Sequence, residues 1–510
     1  MLQTVSRLLG LERFLPIPDA ATRNAVLDIG SNSVRMVVFD NAGRAPAVYF
    51  NEKVLCGLGR DLQRTGALSV EGREMALEAI IRFAKIQRIL KLESVEAVGT
   101  AAIRDAVDGQ DFVGEVATKT GITIKVASGE DEARLAAQGV LLGDPMASGV
   151  VADIGGASME LVRIGEGAVG EGISVPVGPL RLAEARKNSP GNKVDRHIDQ
   201  ALKAANGRFA GARRLYLVGG SWRCLFKAHM EHTGYPLRVL HGFQMPCAQA
   251  MDVAKWGSQL EIAEIRRLAK ASASRAEVTP LACKVLERLL KHIQPDEIVL
   301  SAFGLREGIL WERLPPARRM QDPLVEACRD IEKASARAAG FGDELWEWLR
   351  PLLLGWSPAR QREGHAACLL SDACWSAHPD YRSRACFELV TRNNFGGIDH
   401  EGRLFIGAVL LSRDRDGRHA MRQEPAISQL LSEQDLGEAE ILGRGIRLAS
   451  TIAAASAGYL PHCRLTSEGG VLVLTMSGEA ASLKGEGVQK RLLKLARSVG
   501  ANSAEIRAEA

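Results

Sequence analysis

Short apolar runs alternate with amphipathic segments through the first 313 residues of this 510-residue chain. The pattern predicts a strand hairpin over 25–39, a helix over 71–90, and further strands over 95–99 and 122–126. The same succession restarts near Gly149. Alternating strands and helices favour sheets covered by helices on both faces, so the chain is predicted to be of the α/β class.

The pattern changes after Arg313, where Pro315-Pro316 and several arginines mark a boundary. Residues 324–415 are rich in Ala and Trp, are predicted to be helical, and show few strand signals. Residues 426–510 are mixed and predict a small α+β unit. Residues 1–23 carry apolar positions at helical spacing interrupted by charges, which predicts a short docking helix rather than a signal peptide.

One tight turn is written twice in the chain. The two copies are Val26-Leu27-Asp28-Ile29-Gly30-Ser31-Asn32-Ser33 and Val151-Ala152-Asp153-Ile154-Gly155-Gly156-Ala157-Ser158. Each predicts a hairpin, because an apolar strand passes through small residues and resumes as a second apolar strand. Small residues let backbone N–H groups approach an anion, and Asp28 and Asp153 each offer a hard oxygen ligand for Mg²⁺. Two copies predict two lobes that face one site.

A basic residue at the end of another strand is a further candidate for phosphate binding. Arg104 lies in the first turn of the helix that follows the strand over 95–99. A guanidinium there can hold a phosphate through two parallel hydrogen bonds. A surface ion pair with Asp105 or Asp108 is the alternative interpretation.

Acidic residues provide candidates for a general base and for metal ligands. Three acids, Glu130-Asp131-Glu132, begin a helix, which the helix dipole alone would favour. A carboxylate that projects beside bound phosphates would have a raised pKa and would suit general-base catalysis on water. Glu160 lies two strand positions after Ser158 and shares its face, so Asp153 and Glu160 are candidate Mg²⁺ ligands.

An ordered series of motifs resembles the exopolyphosphatase and guanosine pentaphosphate phosphatase family, a branch of the sugar kinase, Hsp70 and actin superfamily. The motifs are LDIGSNSVRMVV, VGTAAIRDA, ASGEDEARLAAQGV, VVADIGGASMELV, LVGGSWR and SAFGLREGIL. The resemblance covers residues 24–313. It implies two ribonuclease-H-like lobes, over 24–142 and 143–313, with the active site in the cleft between them.

The resemblance also implies a role for each matched residue. Glu132 would activate the attacking water, and Asp153 and Glu160 would be associated with the divalent metal. The turns 30–33 and 155–158 would bind phosphate together with Arg104. Ala157 stands where many members have a glycine, and its single extra carbon should leave the turn intact. The implied reaction is Mg²⁺-dependent hydrolysis of the terminal phosphoanhydride bond of inorganic polyphosphate, with release of orthophosphate.

Two other functions stay open. Guanosine pentaphosphate would use the same catalytic groups and would need a purine pocket near Gly219-Gly220-Ser221-Trp222, which Trp222 would close or line by stacking. A nucleotide-driven module of the actin or Hsp70 type is the second, and the acid at Glu132 disfavours it. Basic clusters after Arg181 and around Arg313 are candidates for a channel that feeds in a long polyphosphate.

The segment 362–372 resembles the helical, HD-like domain of longer family members. Ser371-Asp372 stands where an active HD phosphohydrolase has His-Asp, so a second metal centre is not expected there. The predicted role of residues 324–415 is a scaffold that extends the substrate groove or the dimer interface. The resemblance implies a homodimer.

Composition narrows the functional classes without selecting one. The chain is 46% hydrophobic and 25% charged, as in globular proteins, and its net charge of +4 is too small to indicate a nucleic-acid partner. Nine scattered cysteines without a CxxC pair predict reduced thiols, and no apolar run is long enough to span a membrane. We therefore expect a cytoplasmic enzyme with Mg²⁺ as cofactor, a monovalent cation being left open.

Overall fold

The computed structural model describes residues 23–41, 43–92, 95–188, 193–203, 205, 207–414 and 417–509. It separates into two compact units, residues 18–323 and residues 324–510. The division falls inside the boundary region that follows Arg313. The predicted docking helix over 1–23 lies outside the described residues, except for Arg23.

The first unit alternates strands and helices, as the apolar pattern predicts. Its strands are β1 Asn24–Ile29, β2 Ser33–Phe39, β3 Val48–Leu55, β4 Val95–Gly99, β5 Ile124–Val126, β6 Gly149–Ile154, β7 Met159–Gly165, β8 Ala168–Val175, β9 Arg214–Val218, β10 Gln244–Pro246 and β11 Glu297–Leu300. Its helices are α1 Leu62–Thr65, α2 Val70–Ile89, α3 Ala101–Asp105, α4 Gly109–Thr120, α5 Gly129–Gly143, α6 Pro179–Asn188, α7 Lys193–Lys203, α8 Gly220–His232, α9 Cys247–Gln259, α10 Ile262–Ala269, α11 Ala273–Ile293, α12 Leu305–Arg313 and α13 Pro316–Arg319.

Two sheets of matching topology make up this unit. The first has the order β3-β2-β1-β4-β5 and the second the order β10-β11-β9-β6-β7-β8. In the first, β1, β2 and β3 are antiparallel neighbours, and β4 and β5 run parallel to β1. The second repeats this arrangement with β6, β7 and β8, then β9 and β11, and adds β10 at its edge. The prediction of two ribonuclease-H-like lobes is confirmed.

Helices α5 and α12 lie between the two sheets. Both helices contribute side chains to one buried cluster together with residues of both sheets. Its sheet members include Val26, Val37, Val151 and Val162. Each lobe also has a core of its own on the other side of its sheet. Strands covered on both faces read as continuous apolar runs, which explains why the hairpin strands were visible in the sequence.

Close backbone contact fixes α5 against α12. A Cβ added to Gly139 would lie 2.1 Å from the carbonyl oxygen of Gly304, and one added to Gly308 would lie 1.9 Å from the carbonyl oxygen of Leu135. Neither gap admits a side chain, so glycine is required for the two backbones to touch. The two helices run in opposite directions through this contact, so the first turn of α5, which carries Glu132, lies toward the end of α12, where Arg134 pairs with Glu312.

The second unit is mostly helical and ends in a small sheet. Its helices are α14 Pro323–Ser335, α15 Phe341–Leu349, α16 Pro358–Leu370, α17 Pro379–Arg392, α18 His400–Asp414, α19 Gly417–Arg422, α20 Pro425–Leu430, α21 Glu433–Ile452 and α22 Glu486–Ser498. Its strands, β12 Cys463–Glu468, β13 Val471–Ser477 and β14 Ser503–Glu509, pair in that order. Helix α21 packs against α18, so the predicted boundary between 415 and 426 falls inside one compact unit.

An ion pair occupies the HD-like position of this unit. Asp372 accepts hydrogen bonds from the backbone N–H of Arg337 at 3.0 Å and from its guanidinium at 3.0 and 2.7 Å. Arg413 approaches the same carboxylate at 3.9 Å. His365 contacts a different acid, Asp343, at 2.7 Å. Asp372 is therefore neutralised by cations of the protein itself.

Two chain-wide properties complete the fold. All nine cysteines are free thiols, and eight of them are buried. Within the described part of the chain, every helix is too short or too polar to cross a bilayer.

Candidate active site

The two glycine turns have the same backbone geometry. The N–H of Gly30 donates to the carbonyl of Ser33 at 3.0 Å, and the N–H of Gly155 donates to that of Ser158 at 3.0 Å. In each lobe, the loop after the third strand then folds over the turn: Gly59 N–H donates to the Ser31 carbonyl at 2.8 Å, and Gly178 N–H to the Ala157 carbonyl at 3.1 Å. The repeated turn in the sequence therefore belongs to a repeated three-stranded antiparallel motif, one copy in each lobe. In each copy the loop that contains Gly59 or Gly178 covers the glycine turn, and we call it the cover loop.

The two turns approach each other across the first unit. A Cβ added to Gly156 would lie 3.6 Å from the Cβ of Ser31. Within the described residues, the N–H groups of Ser31, Asn32, Gly156 and Ala157 donate to no backbone carbonyl. Unpaired amides on facing turns suit an anion such as a phosphate.

Cross-strand pairing extends each turn into a row of polar side chains. In the first lobe Asp28, Arg35 and Lys53 are register partners on β1, β2 and β3. We call this set the cationic row. Cross-strand partners point to the same face, and Arg35 lies two residues before Val37 of the cluster between the sheets. The cationic row therefore lies on the face turned toward the second lobe.

The second lobe carries the corresponding acidic row. Asp153, Glu160 and Ser174 are register partners on β6, β7 and β8. Glu160 lies two residues before Val162, so this row also lies on the inner face of its sheet. The two lobes thus share one topology but present opposite charge to the space between them.

Glu132 projects into this space from the first turn of α5. The neighbouring Asp131 faces elsewhere, because successive helical residues are about 100° apart. Asp131 closes the capping box with Ser128 and pairs with Arg134 at 3.0 Å. The Glu132 carboxylate, only 11% exposed, accepts a hydrogen bond from Arg104. Of the three consecutive acids, Asp131 therefore caps the N-terminus of the helix, and Glu132 is the one whose carboxylate faces the space between the lobes.

The pKa of Glu132 is raised to about 7. Burial is the largest cause, Arg104 opposes it, and the carboxylates of Asp153 and Asp28 add to it. Arg104 also donates to the Ala127 carbonyl at 3.0 Å and to Asp105 at 3.2 Å. The structure thus places Arg104 on Glu132 and includes the ion pair with Asp105, whereas Asp108 pairs with Arg73.

Asp153, which is half-buried, and Glu160, which is buried, form an acidic pair across β6 and β7. Burial, followed for Glu160 by repulsion from Glu132, raises the pKa of Asp153 to about 6 and that of Glu160 to about 8. Ser174 donates to Glu160 at 2.8 Å. Crowded, partly desolvated carboxylates are stabilised by a cation, and oxygen is the ligand that Mg²⁺ prefers, so this pair fits the predicted metal.

Asp28 is placed differently from these two acids. Its carboxylate lies 3.8 Å from Arg306 Nε and opposite Arg35 in the register. Burial raises the pKa of Asp28, while both arginines lower it. Within the described residues no three His, Cys, Asp or Glu side chains are grouped closely enough to hold a metal ion. Asp28 is therefore paired with arginine, whereas Asp153 and Glu160 remain the candidate metal ligands.

Three arginines of the site were not predicted from the sequence. Each lies in the first turn of a helix: Arg306 in α12, Arg223 in α8 and Arg275 in α11. Burial, together with repulsion from Arg306 and Arg223, lowers the pKa of Arg35 to about 10. Burial also lowers the pKa values of Arg223 and Arg275. Arg223 and Arg306 occur inside the motifs LVGGSWR and SAFGLREGIL, where a cation follows a glycine turn at a helix start.

The loop Gly219-Gly220-Ser221-Trp222 does not form a purine pocket around Trp222. Trp222 is fully buried in the core of the second lobe, and its indole N–H donates to the Ala282 carbonyl at 3.0 Å. Its side chain is therefore unable to stack on a base, and that expectation was wrong. Helix amphipathicity explains it, because α8 buries the face that includes Trp222.

A cleft of about 690 Å³ opens beside the two turns instead. Ser31, Asn32 and Ala157 line it together with Arg60, Arg181 and Arg186. The basic cluster after Arg181 thus reaches the cleft. Arg313, from the other cluster, is paired with Glu96.

The comparisons with known proteins agree with this geometry. Residues 37–317 match the Ppx/GppA phosphatase family, and residues 334–506 match the C-terminal region of exopolyphosphatase. A solved Ppx/GppA family member from Aquifex aeolicus is 26% identical, with a TM-score of 0.50, over 57% of this chain and 97% of that chain. An exopolyphosphatase from Cytophaga hutchinsonii is 22% identical, with a TM-score of 0.52 over the same shares, and so has a similar fold.

The first match covers more than half of the chain and contains Arg104, Glu132, the second glycine turn, Glu160 and Arg306. These residues belong to the candidate site described above, which lies between the two lobes. The chain belongs to the Ppx/GppA phosphatase family.

Proposed function

We propose that this protein is an exopolyphosphatase that hydrolyses the terminal phosphoanhydride bond of inorganic polyphosphate and releases orthophosphate. The observation that carries the proposal is the position of Glu132: its carboxylate has a pKa of about 7, accepts a hydrogen bond from Arg104, and lies within electrostatic range of Asp28, Asp153 and Glu160. The match of residues 334–506 to the exopolyphosphatase C-terminal region supports polyphosphate as the substrate.

The residues divide the chemistry among them. Backbone amides of the two turns and the guanidinium groups of Arg35, Arg223 and Arg306 would bind the terminal phosphates. Asp153 and Glu160 would hold Mg²⁺, which supplies positive charge to the phosphate oxygens. Phosphoryl transfer depends mostly on such positioning and charge neutralisation.

Glu132 would act on the nucleophile. In its ionised form it accepts a proton from a water molecule as the water attacks the terminal phosphorus. The bond between that phosphorus and the bridging oxygen breaks, and the shortened chain leaves with the bridging oxygen. Arg104 stabilises the ionised form of Glu132 through its hydrogen bond, so it would position the base rather than grip phosphate in this state.

Guanosine pentaphosphate is the second candidate substrate. The cleft beside the turns favours it, because its wall includes the apolar side chains of Leu55, Leu180, Ile262 and Val278 next to phosphate-binding amides. A nucleoside fits a cavity of this size and character.

Orthophosphate release distinguishes these functions. Long-chain polyphosphate, guanosine pentaphosphate and ATP would be compared with Mg²⁺ present, using the wild type and Glu132→Ala. We expect polyphosphate to give the highest kcat/KM and the substitution to lower turnover about 100-fold or more. Preference for guanosine pentaphosphate would select the second candidate, and preference for ATP would contradict both.

A further inference from the structure

Lys53 is a cation of the cationic row that the reaction at the chain end does not use. It lies on β3, opposite Arg35 in the register and two strands from Asp28. Neighbouring strands are about 4.8 Å apart, so Lys53 lies roughly 10 Å from Asp28 along the row. Its side chain is exposed, and within the described residues it forms no salt bridge with an acid. Lys53 therefore presents an unneutralised charge beyond the terminal-phosphate groups.

The opposite wall is formed by the start of α11. Arg275 is anchored there, because its Nη1 donates to the Ser221 hydroxyl at 3.0 Å and its guanidinium packs over Gly220. Leu55 follows Lys53 by two residues on the same face of β3, and it lines the cleft together with Ser274 and Glu277 of α11. The side of β3 that carries Lys53 thus faces the helix turn that carries Arg275.

The two cations are close enough to affect each other. The Lys53 ammonium is open to water, yet partial desolvation, then Arg275 and then Arg35, lower its pKa to about 8. Burial lowers the pKa of Arg275 as well. Asp28 offsets only part of this effect on Lys53. Two facing cations are stabilised by an anion that binds both.

We propose that Lys53 and Arg275 form a subsite for internal phosphates of the polyphosphate chain, and that this subsite sets the preference for long chains. The inference rests on the proposed function and deepens it. A substrate held by its end between Glu132 and the acidic row must extend past Arg35 before it reaches Lys53. Tripolyphosphate has only one internal phosphate, whereas a long chain has enough phosphates to occupy the terminal groups and this subsite together.

The test compares chain lengths in the variant Lys53→Met, which removes the charge and keeps the length of the side chain. Loss of one charged contact corresponds to a rise in KM for long-chain polyphosphate of about tenfold. We expect kcat to be unchanged and KM for tripolyphosphate to change less than about twofold. Lys85→Met is the matched control, because Lys85 is exposed on α2, a helix that packs against the core on the other side of the sheet. Equal effects on both substrates, or none on the long chain, would overturn the subsite.

Binding measurements separate failure of the subsite from failure of the proposed function. Long-chain polyphosphate and tripolyphosphate would be titrated into Glu132→Gln protein with and without Lys53→Met. Weaker binding of the long chain alone supports the subsite whether or not the wild type turns the substrate over. Binding of the long chain that does not depend on Lys53 overturns it, and a wild type that binds but releases no orthophosphate contradicts only the proposed function.

Discussion

Replacing Glu132 by Gln removes the proposed base while it keeps the side-chain shape and an oxygen that accepts from Arg104. The pKa of Glu132 is about 7, whereas an ordinary Glu has a value of 4.5. About 10% of Glu132 is then ionised at pH 6 and about 90% at pH 8, so wild-type turnover is expected to be about tenfold lower at pH 6 than at pH 8. A Glu with an ordinary pKa would give almost no difference over this range.

Glu132→Gln should lower turnover by about 10²- to 10⁴-fold, the usual contribution of a general base. The residual rate should no longer rise between pH 6 and pH 8. The assay is initial orthophosphate release at saturating polyphosphate and Mg²⁺ across this range. Glu130→Gln is the matched control, since Glu130 is an exposed acid in the same helical turn. A Glu132→Gln protein that kept the wild-type pH profile would refute the assignment of the base.

Two further predictions concern stability. The pKa of Glu160 is about 8 in the folded protein, whereas its ordinary value is 4.5. The folded wild type therefore loses stability as pH rises between these two values. Without metal, the Tm of Glu160→Gln should exceed that of the wild type by a margin that grows up to about pH 8. A constant margin would contradict this, and Mg²⁺ should raise the Tm of the wild type only. A Cβ on Gly178 would lie 2.2 Å from the carbonyl carbon of Ala157, so Gly178→Ala should lower the free energy of unfolding in urea by about 1–3 kcal/mol and impair turnover. Gly114→Ala is the control, because the space around Gly114 is open. Equal stability of the two variants would contradict a structural role of the loop that covers the second glycine turn.

The sequence revealed the central strands but not the outer ones. Strands β1, β2, β6 and β7 are covered on both faces and show apolar runs around the two glycine turns. The third strand of each lobe, β3 and β8, is an edge strand whose positions are nearly all exposed or half-buried, and it has no comparable apolar run. The partners Lys53 and Ser174 were missed because they lie on these strands.

The candidate site shows the same division. Glu132, Asp153 and Glu160 were named from their motifs, and the structure brings them within electrostatic range. Arg104 was assigned to phosphate because a strand-end arginine suits that ligand, but its nearest acid is Glu132, which is 28 positions away in the chain. Trp222 was assigned to a pocket because the sequence does not show which face of α8 is buried.

The sequence by itself determined the local chemistry of this protein: two glycine turns, a helix that begins with acids, and the family to which they belong. These features depend on neighbouring residues, because turn geometry, capping and strand formation are local. Tertiary structure decided the sign of the charge that each lobe presents. Register placed Arg35 and Lys53 beside Asp28 but Glu160 and Ser174 beside Asp153, and the packing of α5 brought Glu132 within electrostatic range of Asp28 and Asp153. Long-range pairing and close packing therefore convert a repeated turn into a site with one cationic and one acidic wall.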